Sequence, residues 1–273
     1  MEHFRRIDVS GLPPAEMTVQ PPPRLLWVEI SSLVIDDRYQ RPLGPANWSA
    51  IKRMAAEFRW SRFSPVVVAE ADGGRYALID GQHRAHAAAL CGLDRIPAMV
   101  TIVPEREQAA AFIDINTRQI AVRSQNVYRA ALEAGEEWAL RCRRAVEAAG
   151  CRMMTSNASS CNRKPGQVFT IDLIRTLTIG SGAQHVTHAL AALLEFDPKS
   201  AANFSADMLR PFLAAAVATK AAPDELSAVL RARRPWIVIE DADRRAKVDR
   251  QPRAAARREA FVDLMKAARR AVS

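Results

Sequence analysis

Ile79-Asp80-Gly81-Gln82-His83-Arg84-Ala85 joins an apolar run, Tyr76-Ala77-Leu78-Ile79, to an alanine-rich stretch that stops at Cys91-Gly92. The apolar run reads as a strand, and the alanine-rich stretch as a helix ended by glycine. Asp80-Gly81 is then a strand-to-helix turn. Glycine lets the backbone approach a ligand there, and the first amides of the following helix point outward without partners, which favours an anion. Asp80 is suited to capping that helix, His83 falls in its first turn, and Arg84 offers a planar fork for two phosphate oxygens. Gly81, Gln82, His83 and Arg84 are therefore the expected ligands of a nucleotide's phosphates. The competing reading is a plain Asp-Gly turn with His83 and Arg84 in solvent.

Around this turn the pattern is that of a small mixed domain. Pro65-Val66-Val67-Val68-Ala69, the turn Asp72-Gly73-Gly74 and Tyr76 to Ile79 read as a β-hairpin, and Ile96 to Val103 as a returning strand. Upstream, Leu25 to Ile30 reads as a short strand and Leu33-Val34-Ile35 is another short apolar run. A polar turn, Asp36 to Pro42, follows, then a helix to about Phe58 capped by Asn47 or Ser49. Residues 1–24, with Pro13-Pro14 and Pro21-Pro22-Pro23, form an extended arm. From Glu105 the pattern is almost wholly helical, broken at Gly135, Thr155 to Gly166, Gly180-Ser181-Gly182 and Asp197-Pro198. The expected fold class is α+β: an α/β domain over 25–104, an all-α domain over 105–230 and a basic helical segment over 231–273.

The 273 residues carry 39 basic and 30 acidic side chains, a net charge of +9 that favours a polyanionic partner. Residues 231–273 hold 13 Lys and Arg against 6 Asp and Glu, so the surplus is concentrated there. Arg231, Arg233, Arg234, Arg244, Arg245, Arg257 and Arg258 are the candidates for contacts to a DNA backbone, a solvated helix face being the alternative. Cys91, Cys142, Cys151 and Cys161 lack the close pairs of a zinc site and read as free thiols. His83 with His86, and His185 with His188, each share a helix face but lack a third ligand at diagnostic spacing. No signal-peptide core opens the chain and no run approaches the roughly 18 apolar residues of a membrane span, so a cytoplasmic protein without a membrane partner is expected.

The order of a short strand, a Tyr-Gln-Arg turn, a helix, a Pro-Val-Val-Val strand, an acidic-glycine hairpin and then YALIDGQHRAHAAALCGLDRIPAMV (76–100) resembles the ParB/sulfiredoxin superfamily over residues 25 to 125. ParB-type members carry Gly-Glu-Arg-Arg at the turn and sulfiredoxins Gly-Cys-His-Arg, both to hold nucleotide phosphates. Gly81-Gln82-His83-Arg84 is closest in form to the sulfiredoxin type, and to DGQHR proteins found beside DNA-modification and mobile-element functions. The resemblance implies a nucleoside triphosphate, CTP or ATP, with magnesium, and a DNA-associated role of plasmid, phage or mobile-element type. It also implies that Arg41 is a second phosphate ligand and that Gln40 orients a base or ribose. A homodimer is compatible with it.

Three departures qualify these expectations. Gln82 stands where sulfiredoxin has its reactive cysteine, which excludes thiol repair chemistry. The Glu-Asn-x-x-Arg segment that reaches the terminal phosphate in partition proteins has as its counterpart here Asp114-Ile115-Asn116-Thr117-Arg118-Gln119, which keeps Asn116 but has its arginine one place early; the resemblance implies that role for Asn116 and Arg118. The long helix-turn-helix domain of partition proteins has no clear counterpart, the nearest candidate being Gln167 to Leu177, Gly180 and a helix from about Ala183 to Leu194. Asp80 and Asp114 are the candidate catalytic carboxylates should the chain be a phosphotransferase, NTPase or nuclease of this fold. An interaction module that has lost its ligand is the third reading.

Overall fold

The computed structural model describes residues 6–17, 19–40, 42–117 and 122–272, and the chain divides into two compact units, residues 1–120 and 121–273. The first unit contains β1 (Arg24–Glu29), β2 (Leu33–Val34), α1 (Pro45–Ala56), β3 (Val66–Ala71), β4 (Arg75–Asp80), α2 (Gln82–Leu90), β5 (Arg95–Thr101) and α3 (Glu105–Thr117). Its five strands lie in the order β1-β5-β3-β4-β2. Central β3 runs antiparallel to β4, as the hairpin pattern predicts, and parallel to β5. Val66, Val67, Val68 and Ala69 are buried in unbroken succession because both faces of this strand are covered. On one face Val66, Val68 and Leu78 pack with Ala85 and Ala88 of α2. On the other, Val67, Ala69 and Ile79 meet Ala111, Phe112 and Ile115 of α3.

That second face moves the boundary expected near residue 104. α3 covers the sheet and so belongs to the first unit. The start of α1 also differs from expectation: it begins at Pro45, whose missing amide costs nothing at the first helical position, so neither Asn47 nor Ser49 caps it. Asn47 instead lies inside the first turn of the helix, where its side chain reaches α2.

The second unit contains α4 (Ser124–Glu133), α5 (Glu137–Glu147), β6 (Arg152–Met153), β7 (Gln167–Val168), α6 (Ile171–Leu177), α7 (Gly182–Phe196), α8 (Ala206–Thr219), α9 (Pro223–Ala232), α10 (Pro235–Asp249) and α11 (Arg253–Val272). The helix breaks fall where glycine and polar residues place them, but β6 and β7 form a small parallel pair inside a region expected to be all helix. Val238, Ile239 and Ala242 of α10 and Phe261 and Met265 of α11 share one core with α5, α7 and α8. The Phe212 and Phe261 rings meet edge to face at 5.3 Å. Residues 231–273 are therefore the closing helices of this unit rather than a separate basic segment. No helix of the described residues is long and apolar enough to cross a membrane.

Two arginines fasten these closing helices through three ion pairs among the described residues. Arg257 of α11 donates twice to Asp243 of α10, at 2.7 Å each, and once to Asp207 of α8 at 3.0 Å. Arg269 donates to Glu225 of α9 at 2.7 and 3.0 Å. The hydrogen bonds from Arg257 hold the Asp243 carboxyl below its ordinary 3.8, and those from Arg269 hold Glu225 below 4.5. A carboxylate with a depressed folded pKa stabilises the fold above its unfolded value and loses that contribution as pH falls through the folded one. Asp243→Asn is expected to cost about 1–3 kcal/mol at neutral pH and to flatten the acid limb of stability below pH ~4, measured by urea denaturation across pH. An acid limb parallel to that of the wild type would contradict it.

Candidate functional site

One residue, Gly81, separates β4 from α2, and it has φ 103° and ψ 21°. A Cβ there would lie 2.7 Å from Val66 Cγ1 and 2.9 Å from Arg84 Nη2, so the position excludes a side chain by both conformation and space. The Gly81 carbonyl accepts the Ala85 amide at 2.9 Å, closing the first turn of α2. No side chain caps the helix, which leaves the amides of Gln82, His83 and Arg84 without an intrahelical partner. Asp80, expected to be the cap, does something else: its Oδ2 accepts Arg84 Nη2 at 3.2 Å, one turn along. Arg84 Nη2 also donates to the Pro65 carbonyl at 3.3 Å, and its Nε is buried without a partner among the described residues. The fork is thus held against the turn, with both partners only 25% exposed.

The turn forms the floor of a cleft of ≈ 640 Å³ whose walls include Tyr39, Asn47, Phe112 and Asn116. The Tyr39 and Phe112 rings lie 5.7 Å apart, and burial raises the Tyr39 phenol above its ordinary value, so it stays protonated at neutral pH. The Asn47 amide nitrogen sits within hydrogen-bond distance of His83 Nε2, at 3.1 Å. His86 Nδ1 faces the Gln82 carbonyl at 2.8 Å, and its ring meets Trp48 edge to face at 5.5 Å. The two histidines of α2 therefore brace the turn against α1.

The expected site residues separate into three groups. Gly81, Gln82, His83, Arg84, Asp80, Gln40 and Asn116 come together in the cleft. Gln40 is buried there with its amide nitrogen donating to the Leu78 and Ile79 carbonyls at 3.1 and 3.2 Å, so that nitrogen holds the loop to the end of β4 rather than facing a base or ribose. Asn116 donates to the Phe112 carbonyl at 2.8 Å. Asp114 is exposed on α3 and is not among the described residues that line the cleft. Arg41 and Arg118 lie outside the described residues. Sequence reasoning missed the wall made by Asn47 and Phe112. The legible signal for the second was the four-residue step from Phe112 to Asn116, which puts both on one face of α3.

Residues 28–117 match the family model described as the ParB N-terminal domain. Over these residues the chain is similar to the ParB N-terminal domain family. The match ends at the last residue of α3, which agrees with that helix packing on the sheet. Among solved structures, the C-terminally truncated chromosome-partitioning protein ParB from Caulobacter crescentus complexed with CTP-γ-S is 14% identical, covering 77% of this chain and 98% of that one, with a TM-score of 0.38. The same protein complexed to the centromeric parS site is 14% identical, covers 86% and 98%, and has a TM-score of 0.31. A Pnob8-like ParB-N domain is 13% identical, covers 92% and 99%, and has a TM-score of 0.31. These are distant likenesses, and the assignment rests on the family model. A comparison with curated proteins gives no match.

Within the matched residues, Cys91 closes α2 at the end remote from the turn, its thiol 3.5 Å from the Ala55 carbonyl. Outside them the expected DNA-reading pair maps onto α6 and α7, and α7 does not suit the role. His185, Val186, Ala189, Leu190, Ala192 and Leu193 are buried in the core of the second unit. The DNA candidates divide as well. Arg257 holds α11 to α10 and α8, and Arg233 and Arg244 both pair with Asp241. Arg231, Arg234, Arg245 and Arg258 are exposed.

Gly81→Ala is expected to destabilise the chain by about 1–3 kcal/mol, from left-handed strain plus the clash with Val66. Gly92, with φ 73° and open space within 4 Å of the point a Cβ would occupy, isolates the strain alone. Chemical denaturation of Gly81→Ala and Gly92→Ala should therefore give a clearly larger loss for the first. Equal losses would mean that the space around Gly81 is not restricting.

Proposed function

We propose that the ParB-like N-terminal domain holds the phosphates of a nucleoside triphosphate, CTP or ATP with magnesium, on the Gly81–Arg84 turn, and that the chain is a DNA-associated protein of plasmid, phage or mobile-element type. The observation that carries the reading is the uncapped start of α2 beside the tethered Arg84 at the floor of the cleft. Three outward amides and a guanidinium meet the negative charge of a phosphate chain without reorganisation, since Gly81 and the pairing of Arg84 with Asp80 fix their positions beforehand. The volume of ≈ 640 Å³ fits a ligand of nucleotide size. The aromatic wall of Tyr39 and Phe112 is an apolar surface for a ribose or base.

The residues present also fit magnesium arriving with its nucleotide. Asp80 and Asn116 bring the oxygen-bearing side chains, and no group of three His, Cys, Asp or Glu suited to a metal occurs among the described residues. Magnesium is characteristically held by one or two protein oxygens together with phosphate and water. The ion's contribution would be to offset phosphate charge, while the domain's own groups bind and orient.

Calorimetric titration of CTP, ATP, GTP and UTP, each with magnesium, into the full chain and Arg84→Ala tests this. One triphosphate should bind the wild type, and Arg84→Ala should weaken it at least tenfold, about 1.4 kcal/mol. Absence of binding by all four to folded wild type overturns the proposal. Release of phosphate from the bound triphosphate would make the domain an NTPase, with Asp80 the first carboxylate to substitute.

A further inference from the structure

We infer that the second unit grips the phosphate backbone of duplex DNA in an arginine-lined groove at the N-terminal ends of α8 and α11. The inference rests on the DNA-associated reading above and assigns it a surface. Two cavities of ≈ 290 and ≈ 570 Å³ adjoin there, sharing Leu173, Ala206 and Arg210. Arg163 lines the first, and Arg253 and Arg258 line the second. Arg210 stands where the cavities meet, so the guanidinium groups are strung along the groove rather than gathered round one point. That spacing suits a repeating polyanion better than a single small anion.

Of the two carboxylates that line the groove, one is paired with an arginine and the other accepts a hydroxyl. Asp207 accepts Arg257, which is bound to Asp243 as well, and Asp172 accepts the Ser124 hydroxyl at 2.7 Å. Arg210, Arg253 and Arg258 are exposed and make no ion pair among the described residues. Arg163 lies with its guanidinium 4.4 Å above the Phe169 ring, which fixes its plane while leaving its charge. The fourteen-residue α8 adds its positive end to the same place: its N-cap Ser205 makes no side-chain cap, and the Ser205 hydroxyl oxygen is buried without a partner among the described residues. α11 likewise begins in the groove, at Arg253. Of the seven arginines first expected to meet DNA, only Arg257 and Arg258 line this groove, and Arg257 is taken by the fold. Arg163 and Arg210 lie outside the segment that charge counting singled out, and Arg253 lies within it but was not among the seven.

Anisotropy of a fluorescein-labelled random-sequence duplex of about 20 base pairs, titrated with the full chain at several salt concentrations, tests the groove. Arg210→Gln/Arg253→Gln/Arg258→Gln is compared with Arg231→Gln/Arg234→Gln/Arg245→Gln, which removes the same charge from exposed positions outside the groove. The groove triple should weaken binding at least tenfold and lower the slope of log affinity against log salt by about 2–3, at roughly 0.9 per lost phosphate contact. The second triple should stay within about threefold of wild type. Equal loss in both triples, or none in either, overturns the groove while leaving DNA association itself standing. No binding by wild type overturns both. Circular dichroism and nucleotide titration of each triple verify that the fold and the cleft of the first unit are intact.

Discussion

Gly81 has the sheet on one side and α2 on the other, and the chain turns between them only because no side chain is present. Val66, at the start of the central strand, presses into the space a Cβ would need. The same strand carries the hydrophobic core of both faces, so the position of the turn is set by the sheet's packing rather than by the turn's own bonds. From that position follow the direction of α2, the return of Arg84 to Asp80 and Pro65, and the outward set of uncapped amides. A buried guanidinium nitrogen and an uncapped helix end each cost stability. A fold that keeps both at the floor of one cleft has the arrangement expected of a site built for an anion.

The arginines of the chain serve two purposes that a charge count merges. Arg257 and Arg269 close the helical unit, each answering a carboxylate whose ionised form it favours. Arg210 and Arg258 have no such partner among the described residues and, with Arg253, line an open groove. The distinction lies in the distance to an acidic side chain, and through it the same residue type holds the core together at one position and faces solvent a few residues away.

The legible parts of the fold were those specified locally. The β3–β4 hairpin with its Asp-Gly-Gly turn, the stop of α2 at Gly92 and the helix breaks at Gly135 and Gly180 all follow from glycines, which take the positive φ these turns require. What sequence could not disclose was which surface each element covers. α3 has the same helical pattern as the helices after it, yet Ala111, Phe112 and Ile115 take it to the sheet. α7 was a plausible groove reader by spacing and is buried by packing. The same limit applied in the cleft: the loop carrying Gln40 was assigned to the site, but the hydrogen bonds of its amide nitrogen to the β4 carbonyls depend on a strand pairing that sequence does not encode locally. Asp80 had the chemistry of a cap, and the left-handed Gly81 took that position instead.

The central claim is that the first-turn amides of α2 receive phosphate. Residue-resolved amide hydrogen exchange on the full chain, with and without magnesium and a saturating nucleoside triphosphate, measures those amides directly. Slowed exchange at Gln82, His83 and Arg84, with α7 unchanged, is the predicted result. Nucleotide binding that leaves these three amides unprotected, or that protects only residues 121–273, would contradict it.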